Sequence, residues 1–260
     1  MLCARLRKAD KDASAGLLDE VKRICAQIRD KWPAVKIVLR ADSGFTREEI
    51  MVWCEDNGVF YLFGLAKNSR LVEEIKLELE QAKVEFEKSL EPARVYKDFT
   101  YKTLESWSCE RRVVGKAEHL EKGSNPRFIV TSLPKEEFAP KPLYEDHYCA
   151  RGNMENRIKE QKLDLFSDRT STEMMKSNQL RLYFSSCAYL LMSELRRVGL
   201  KGTQMQSAQC QTIRLKLLKI GAKVKVSLSR IVVSLTSAYP YQDIFAQVYN
   251  NLLQLKPSFG

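Results

Sequence analysis

The first 65 residues constrain the fold most, because short apolar runs alternate there with amphipathic segments. Residues 16–32 set Leu17, Leu18, Val21, Ile24, Cys25 and Ile28 at helical spacing. Pro33 ends that helix, since it has no N–H to give and its ring crowds the preceding turn. Residues 35–39, Val-Lys-Ile-Val-Leu, are a β-branched run of the kind found in buried strands. A second helix is expected over 47–57, opened by a capping box of Thr46 with Glu49 and stopped at Gly58. Residues 59–65 read as another buried strand. Strand and helix alternating in such short units predict an α/β sheet. An edge-like strand over 2–6 and a polar turn through 10–15 are expected to precede it.

Beyond residue 68 the pattern changes. Residues 69–90 are expected as one long charged helix. Residues 95–104, 109–118 and 127–133 read as strands of a small β-rich insertion, after which Pro134, Pro140 and Pro142 lead back to helix. Helices are expected over 143–165 and 171–198. The second carries Met175, Leu182, Tyr183, Cys187, Leu190, Leu191 and Leu195 as an expected core face. A basic helix over 212–220, a hairpin or edge strand over 223–237 and a terminal helix after Pro240 complete the chain.

Charge separates the two ends. Residues 1–180 hold 32 Lys+Arg against 31 Asp+Glu, whereas residues 181–230 hold 10 against the single acid Glu194. An excess of that kind suits a face that binds a polyanion, because neutralising phosphates releases counterions; a merely solubilising surface is the plainer reading. The seven cysteines are scattered, odd in number and never spaced Cys-x-x-Cys, which points to reduced thiols in a cytosol rather than a disulfide frame or a zinc knuckle. With only His119 and His147 available, any metal should be a hard ion held by carboxylates. No run approaches the roughly 18 apolar residues that span a bilayer, and no secretory leader is recognisable.

Two places carry candidate chemistry. Asp42 falls at the carboxyl end of a predicted strand, where α/β proteins build their sites, with Gly44 allowing a sharp turn. A carboxylate there is also an ordinary cap or turn residue. Tyr148, Arg151, Glu155 and Lys162 occupy relative positions 0, 3, 7 and 14. At about 100° per residue they share a stripe roughly 60° wide. A solvated helix face with an Arg151–Glu155 pair accounts for the middle two, but not for a tyrosine and a lysine in line with them.

The spacing Tyr-x2-Arg-x3-Glu-x6-Lys resembles the signature of one branch of bacterial insertion-sequence transposases, in the DDE superfamily with a ribonuclease-H-like fold. The words around it are similar too: Leu39-Arg40-Ala41-Asp42-Ser43-Gly44-Phe45 and Tyr148-Cys149-Ala150-Arg151-Gly152-Asn153-Met154-Glu155-Asn156-Arg157. The likeness extends to the closing Ala238-Tyr239-Pro240-Tyr241. It implies an α/β, ribonuclease-H-like core formed by 1–68 and 136–200 with an incomplete sheet. A helix and β-rich insertion over 69–135 would precede the Glu-bearing helix, and a basic, mostly helical region over 201–260 would follow. It implies that Asp42 and Glu155 are the second and third carboxylates of a site for two Mg²⁺ or Mn²⁺ ions. Tyr148, Arg151 and Lys162 would grip phosphates of transposon-end DNA. A homodimer in a synaptic complex, double-stranded DNA as partner and a cytoplasmic, nucleoid-associated location follow from the same likeness.

The chain departs from that pattern at its start. The first aspartate of such enzymes lies on the first strand of the sheet, and no counterpart precedes residue 16; Asp10 and Asp12 fall in a turn. The reading therefore expects an amino-terminally truncated chain, also lacking the region that recognises terminal repeats, with little activity alone. Trp107 is expected to pack rather than hold a flipped base. Arg214, Lys216, Lys219, Lys223, Lys225 and Arg230 are expected to track flanking DNA. The rival readings are a non-catalytic DNA-binding or inhibitory protein, and an unrelated basic α/β module whose stripe is coincidental.

Overall fold

The computed structural model describes residues 2–12 and 14–255. Contacts divide them into two compact units, one spanning 7–154 and the other joining 2–6 to 155–255.

The first unit is a mixed α/β sheet. Helix α1 (Leu17–Lys31) is followed by strand β1 (Val38–Ala41), helix α2 (Glu48–Asp56) and strand β2 (Phe60–Leu65). Helices α3 (Ser69–Glu74) and α4 (Lys76–Ser89) come next, then strands β3 (Ala93–Tyr101), β4 (Arg111–Leu120), β5 (Gly123–Ser124) and β6 (Arg127–Thr131). The sheet order is β1-β2-β6-β4-β3, with β5 paired to β4. Strands β1 and β2 run parallel, and β2 continues antiparallel into β6 through Leu62 opposite Thr131. The stretch read from sequence as an insertion thus extends the same sheet, because β6 supplies the ladder partners that β2 needs.

Alternation builds a core on each face of this sheet. Tyr61, Phe63, Val113 and Val130 point to one side, against Val21 and Cys25 of α1 and Ile50, Met51 and Cys54 of α2. Leu62, Val114 and Ile129 point to the other, against Leu143 and Tyr144.

Several expectations are corrected here. Strand β1 begins three residues later than predicted and is a half-covered edge. Val38 is 48% exposed, because β1 has a sheet neighbour on one side only. The capping box is not formed: Arg47 is the N-cap of α2 with no side-chain bond, and the Thr46 hydroxyl donates instead to the Gly64 carbonyl. The long helix over 69–90 breaks at Ile75, whose backbone leaves helical geometry while its side chain is buried. The segment over 143–165 is a single helical path in three hydrogen-bonding patterns. A short turn α5 (Pro140–Pro142) leads to a wide i→i+5 segment Leu143–Tyr148, a tight 3₁₀ turn Cys149–Arg151, and then helix α6 (Gly152–Asp164). The uniform 100° step behind the predicted stripe therefore applies only from residue 152 onward.

The second unit contains α6 from Glu155, α7 (Met175–Glu194), α8 (Cys210–Ile213) and α9 (Gln242–Leu253), with a hairpin of β7 (Ala222–Val226) and β8 (Ile231–Leu235). Its core gathers Tyr189, Met192, Leu200, Met205, Cys210, Ile213, Leu217 and Val248. The predicted core face of α7 holds only in part: Leu195 packs against the core and Leu182 is half-buried, but Met175, Tyr183, Cys187, Leu190 and Leu191 are exposed, while Asn178, Ser185 and Ser186 are buried. Hydrogen bonds explain the buried polar residues. Gln161 Nε2 donates to Ser186 Oγ at 3.0 Å, and Ser185 Oγ donates to the Leu165 carbonyl at 3.2 Å, so small polar residues allow the close approach. The expected strand over 2–6 joins no ladder. The Leu6 N–H donates to Gln179 Oε1 and the Ala4 carbonyl accepts from Gln179 Nε2, at 2.8 and 2.9 Å. One side-chain amide thus takes the place of a partner strand.

Candidate functional site

In the first unit the chain turns sharply after β1, and Asp42 stands at that turn. It is the N-cap of the 3₁₀ turn Ser43–Phe45, its Oδ1 accepting the Gly44 N–H at 3.0 Å. The cap reading and the strand-end position thus hold together for one residue. The side chain remains 49% exposed, and its Oδ2 lies 3.7 Å from Arg151 Nη1. The Arg151 guanidinium in turn sits 5.6 Å from the centre of the Tyr148 ring.

What permits this convergence is Gly64, next to β1 on the neighbouring strand. A Cβ there would stand 2.5 Å from Tyr148 Oη, closer than carbon and oxygen approach, and 3.0 Å from the Ser43 nitrogen, a tight contact. The turn is further held by Thr46 bonding to the Gly64 carbonyl and by Arg40 bonding to the His147 carbonyl. No expectation from sequence tied Gly64, Thr46 and Arg40 to holding this turn, Thr46 reading there as a helix cap and Arg40 only as part of the Asp42 motif. A lone glycine inside the strand Phe-Tyr-Leu-Phe-Gly-Leu was a usable signal, because it weakens a strand and marks close approach.

In the second unit, Glu155 and Lys162 line one open cavity of about 340 Å³ together with Ile158, Lys159, Leu163 and Asp168. The other carboxylates of α6 have structural work. Glu160 pairs with Arg196 at 3.1 Å and accepts the Cys210 N–H, and Asp164 accepts the Gln211 N–H at 3.0 Å. Burial alone would raise the Glu160 carboxyl, but the Cys210 N–H and the Arg196 guanidinium outweigh it and hold it below the usual range.

The predicted basic residues divide. Arg214 lays its guanidinium over Phe166, 4.7 Å from the ring centre, and Lys216 stands 5.5 Å from the centre of Tyr241. Lys219, Lys223, Lys225 and Arg230 are exposed. Trp107 is buried, edge-on to Tyr101 with ring centres 5.9 Å apart, as packing requires.

As donors, the carboxylates Asp42 and Glu155 suit a hard divalent ion. Among the described residues no group of three or more His, Cys, Asp or Glu side chains converges to hold one. No helix among them is long and apolar enough to cross a membrane.

No curated protein matches the chain. The family described as transposase DDE domain group 1 matches residues 1–257. With the strand-end aspartate, the Tyr-Arg-Glu-Lys spacing and a mixed α/β sheet already in place, that match is decisive: the chain belongs to the DDE-domain transposases.

Proposed function

We propose that this chain provides the Asp42 and Glu155 portion of a transposase active site of the Tyr-x2-Arg-x3-Glu-x6-Lys branch. The reaction is metal-dependent phosphodiester hydrolysis and strand transfer at the ends of an insertion sequence. The observation that carries this reading is the convergence of Arg151 and Tyr148 on the half-exposed Asp42 across Gly64. Asp42 and Glu155 would hold Mg²⁺ or Mn²⁺, which in two-metal sites lowers the pKa of the attacking oxygen and stabilises the leaving one. Arg151 binds phosphate oxygens with a two-pronged fork, and Lys162 and Tyr148 add a point charge and a hydroxyl. These contacts position duplex DNA without reading its sequence. In this reading 1–68 and 136–200 form the ribonuclease-H-like core, 69–135 widens its sheet, and 201–260 supplies a basic surface that includes Arg214, Lys216, Lys219, Lys223 and Lys225. The protein works as a homodimer in a synaptic complex.

The test is Mn²⁺ binding to the full chain, followed by electron paramagnetic resonance. Asp42→Ala and Glu155→Ala should each weaken binding at least tenfold, whereas Glu137→Ala should not. Equal affinity in all four proteins would overturn the assignment.

A second reading, a DNA-binding chain that inhibits an intact transposase, is favoured by one observation. The Asp42 carboxylate is already engaged by the Gly44 N–H and faces the Arg151 cation. Adding the chain to the intact enzyme separates the two, because only an inhibitor lowers transposition in proportion to the amount added.

A further inference from the structure

The hairpin of β7 and β8 contributes no residue to the hydrophobic core of the second unit, and every residue of both strands is exposed. Its register places Ala222 opposite Leu235, Val224 opposite Val233 and Val226 opposite Ile231. One face is therefore wholly apolar, and the other carries Lys223 and Lys225 with Val232 and Ser234. At the tip, Ser227 closes the turn through its N–H and hydroxyl, both donating to the Arg230 carbonyl at 2.9 Å. This leaves Leu228 fully exposed beside Arg230.

Two occupants compete for such an arm, and magnitudes separate them. Five residues per strand at about 3.4 Å each, with strands about 5 Å apart, give an apolar footprint of only ~170 Å². A stable protein interface needs about 800 Å² per partner. Charge has no such shortfall. Between Glu194 and Asp243 the chain holds nine Lys+Arg and no acid. Arg196 and Arg197 are paired with Glu160 and Glu194. Lys219, Lys223, Lys225 and Arg230 have no carboxylate within 4 Å among the described residues. A two-stranded ribbon also fits the major groove of B-DNA, about 12 Å wide.

We propose that the β7–β8 hairpin is a DNA-binding arm that enters a groove of the duplex. Lys223 and Lys225 contact the phosphates of the groove wall, and Leu228 leads as a wedge against a base step with Arg230 beside it. This deepens the DNA reading above and rests on it, but needs neither metal nor catalysis.

The experiment uses the full chain in EDTA with mixed-sequence duplexes of about 20 base pairs, read by fluorescence anisotropy across a salt series. The double variant Lys223→Ala/Lys225→Ala should reduce the slope of log affinity against log salt by about 2, near 0.9 per lost phosphate contact. Duplexes carrying 2-aminopurine at the easily unstacked TA and CA steps should brighten with the unaltered chain, and Leu228→Ser should abolish that signal while leaving the salt slope alone. An unchanged slope overturns the inference, and so does phosphate contact without any 2-aminopurine response. Sedimentation supplies the rival outcome: a doubled mass that Val233→Lys abolishes would assign the apolar face to a second copy. If the unaltered chain binds no duplex, the broader DNA reading fails as well. If it binds and the hairpin variants bind alike, only this inference does.

Discussion

The two compact units differ in how they use charge. Residues 7–154 contain 26 Lys+Arg and 26 Asp+Glu, so that unit carries no net charge, and its ions are spent on one another. Arg111, only 5% exposed, donates to Glu55 Oε1 and Glu48 Oε2 at 2.7 Å each, and Tyr61 Oη donates to Glu55 at 2.6 Å. This network ties α2 to the strands β2 and β4. The remaining chain holds 17 Lys+Arg against 7 Asp+Glu, which is the whole of the protein's net charge of +10. It also exposes apolar side chains on α7 and on both strands of the hairpin. One unit is closed on itself and scaffolds a strand-end carboxylate; the other has unspent charge and surface for a partner.

The sharpest way to break this contrast is to open the closed unit. Arg111→Ala strands two carboxylates beside a buried tyrosine and should cost about 3–5 kcal/mol, read from denaturant unfolding. The same network sets a pH dependence. Burial would raise Glu48 and Glu55, but the Arg111 bonds outweigh it and hold both below their ordinary range. A carboxyl depressed in the fold stabilises it above the unfolded value, about 4.3 for glutamate, and that contribution is lost as pH falls through the folded value. Stability should therefore hold from neutrality to about pH 5 and drop below about pH 4.3. In Arg111→Ala that drop should shrink, as thermal melts at stepped pH would report.

Smaller changes probe the site itself. Gly64→Ala should cost about 1–3 kcal/mol, because its Cβ collides with Tyr148 Oη and crowds the Ser43 nitrogen. Tyr148→Phe removes the collision, so the double variant should recover at least about 0.5 kcal/mol of coupling. Additive losses would mean that the two residues do not meet. Thr46→Val, which deletes the hydroxyl bonded to Gly64, should cost about 1 kcal/mol. The smallest effect belongs to the open unit, where Val233→Thr on the exposed hairpin should shift stability by less than about 0.5 kcal/mol.

Much of the element list was legible beforehand. Helix α1, the glycine stop of α2 at Gly58, strand β2, the strands β3, β4 and β6, the hairpin and the terminal helix all fall where periodicity and turn residues put them. Failures cluster where a neighbour outvotes local pattern. Thr46 satisfies the capping-box rule, yet its hydroxyl finds a better acceptor across the sheet. The apolar positions of α7 look like a core, yet Ser185 and Ser186 face inward because they bond to neighbours in the same unit.

The candidate site divides in the same way. Asp42, Tyr148, Arg151, Glu155 and Lys162 stand out as candidates in the sequence because each is a chemical type at a definite spacing, and spacing along a chain is wholly local information. The charge partition was readable for the same reason. The closeness of Arg151 to Asp42 was not, since 109 positions separate them in the chain and a wide helical turn shifts the register between predicted and actual faces. Nor was the part played by Gly64, whose missing side chain matters only once Tyr148 arrives above it. Composition and periodicity determine which segments become helix or strand and where charge accumulates, because those depend on neighbours in sequence. Which side chains meet depends on sheet order and on the space left between packed elements, and only the tertiary structure decides that.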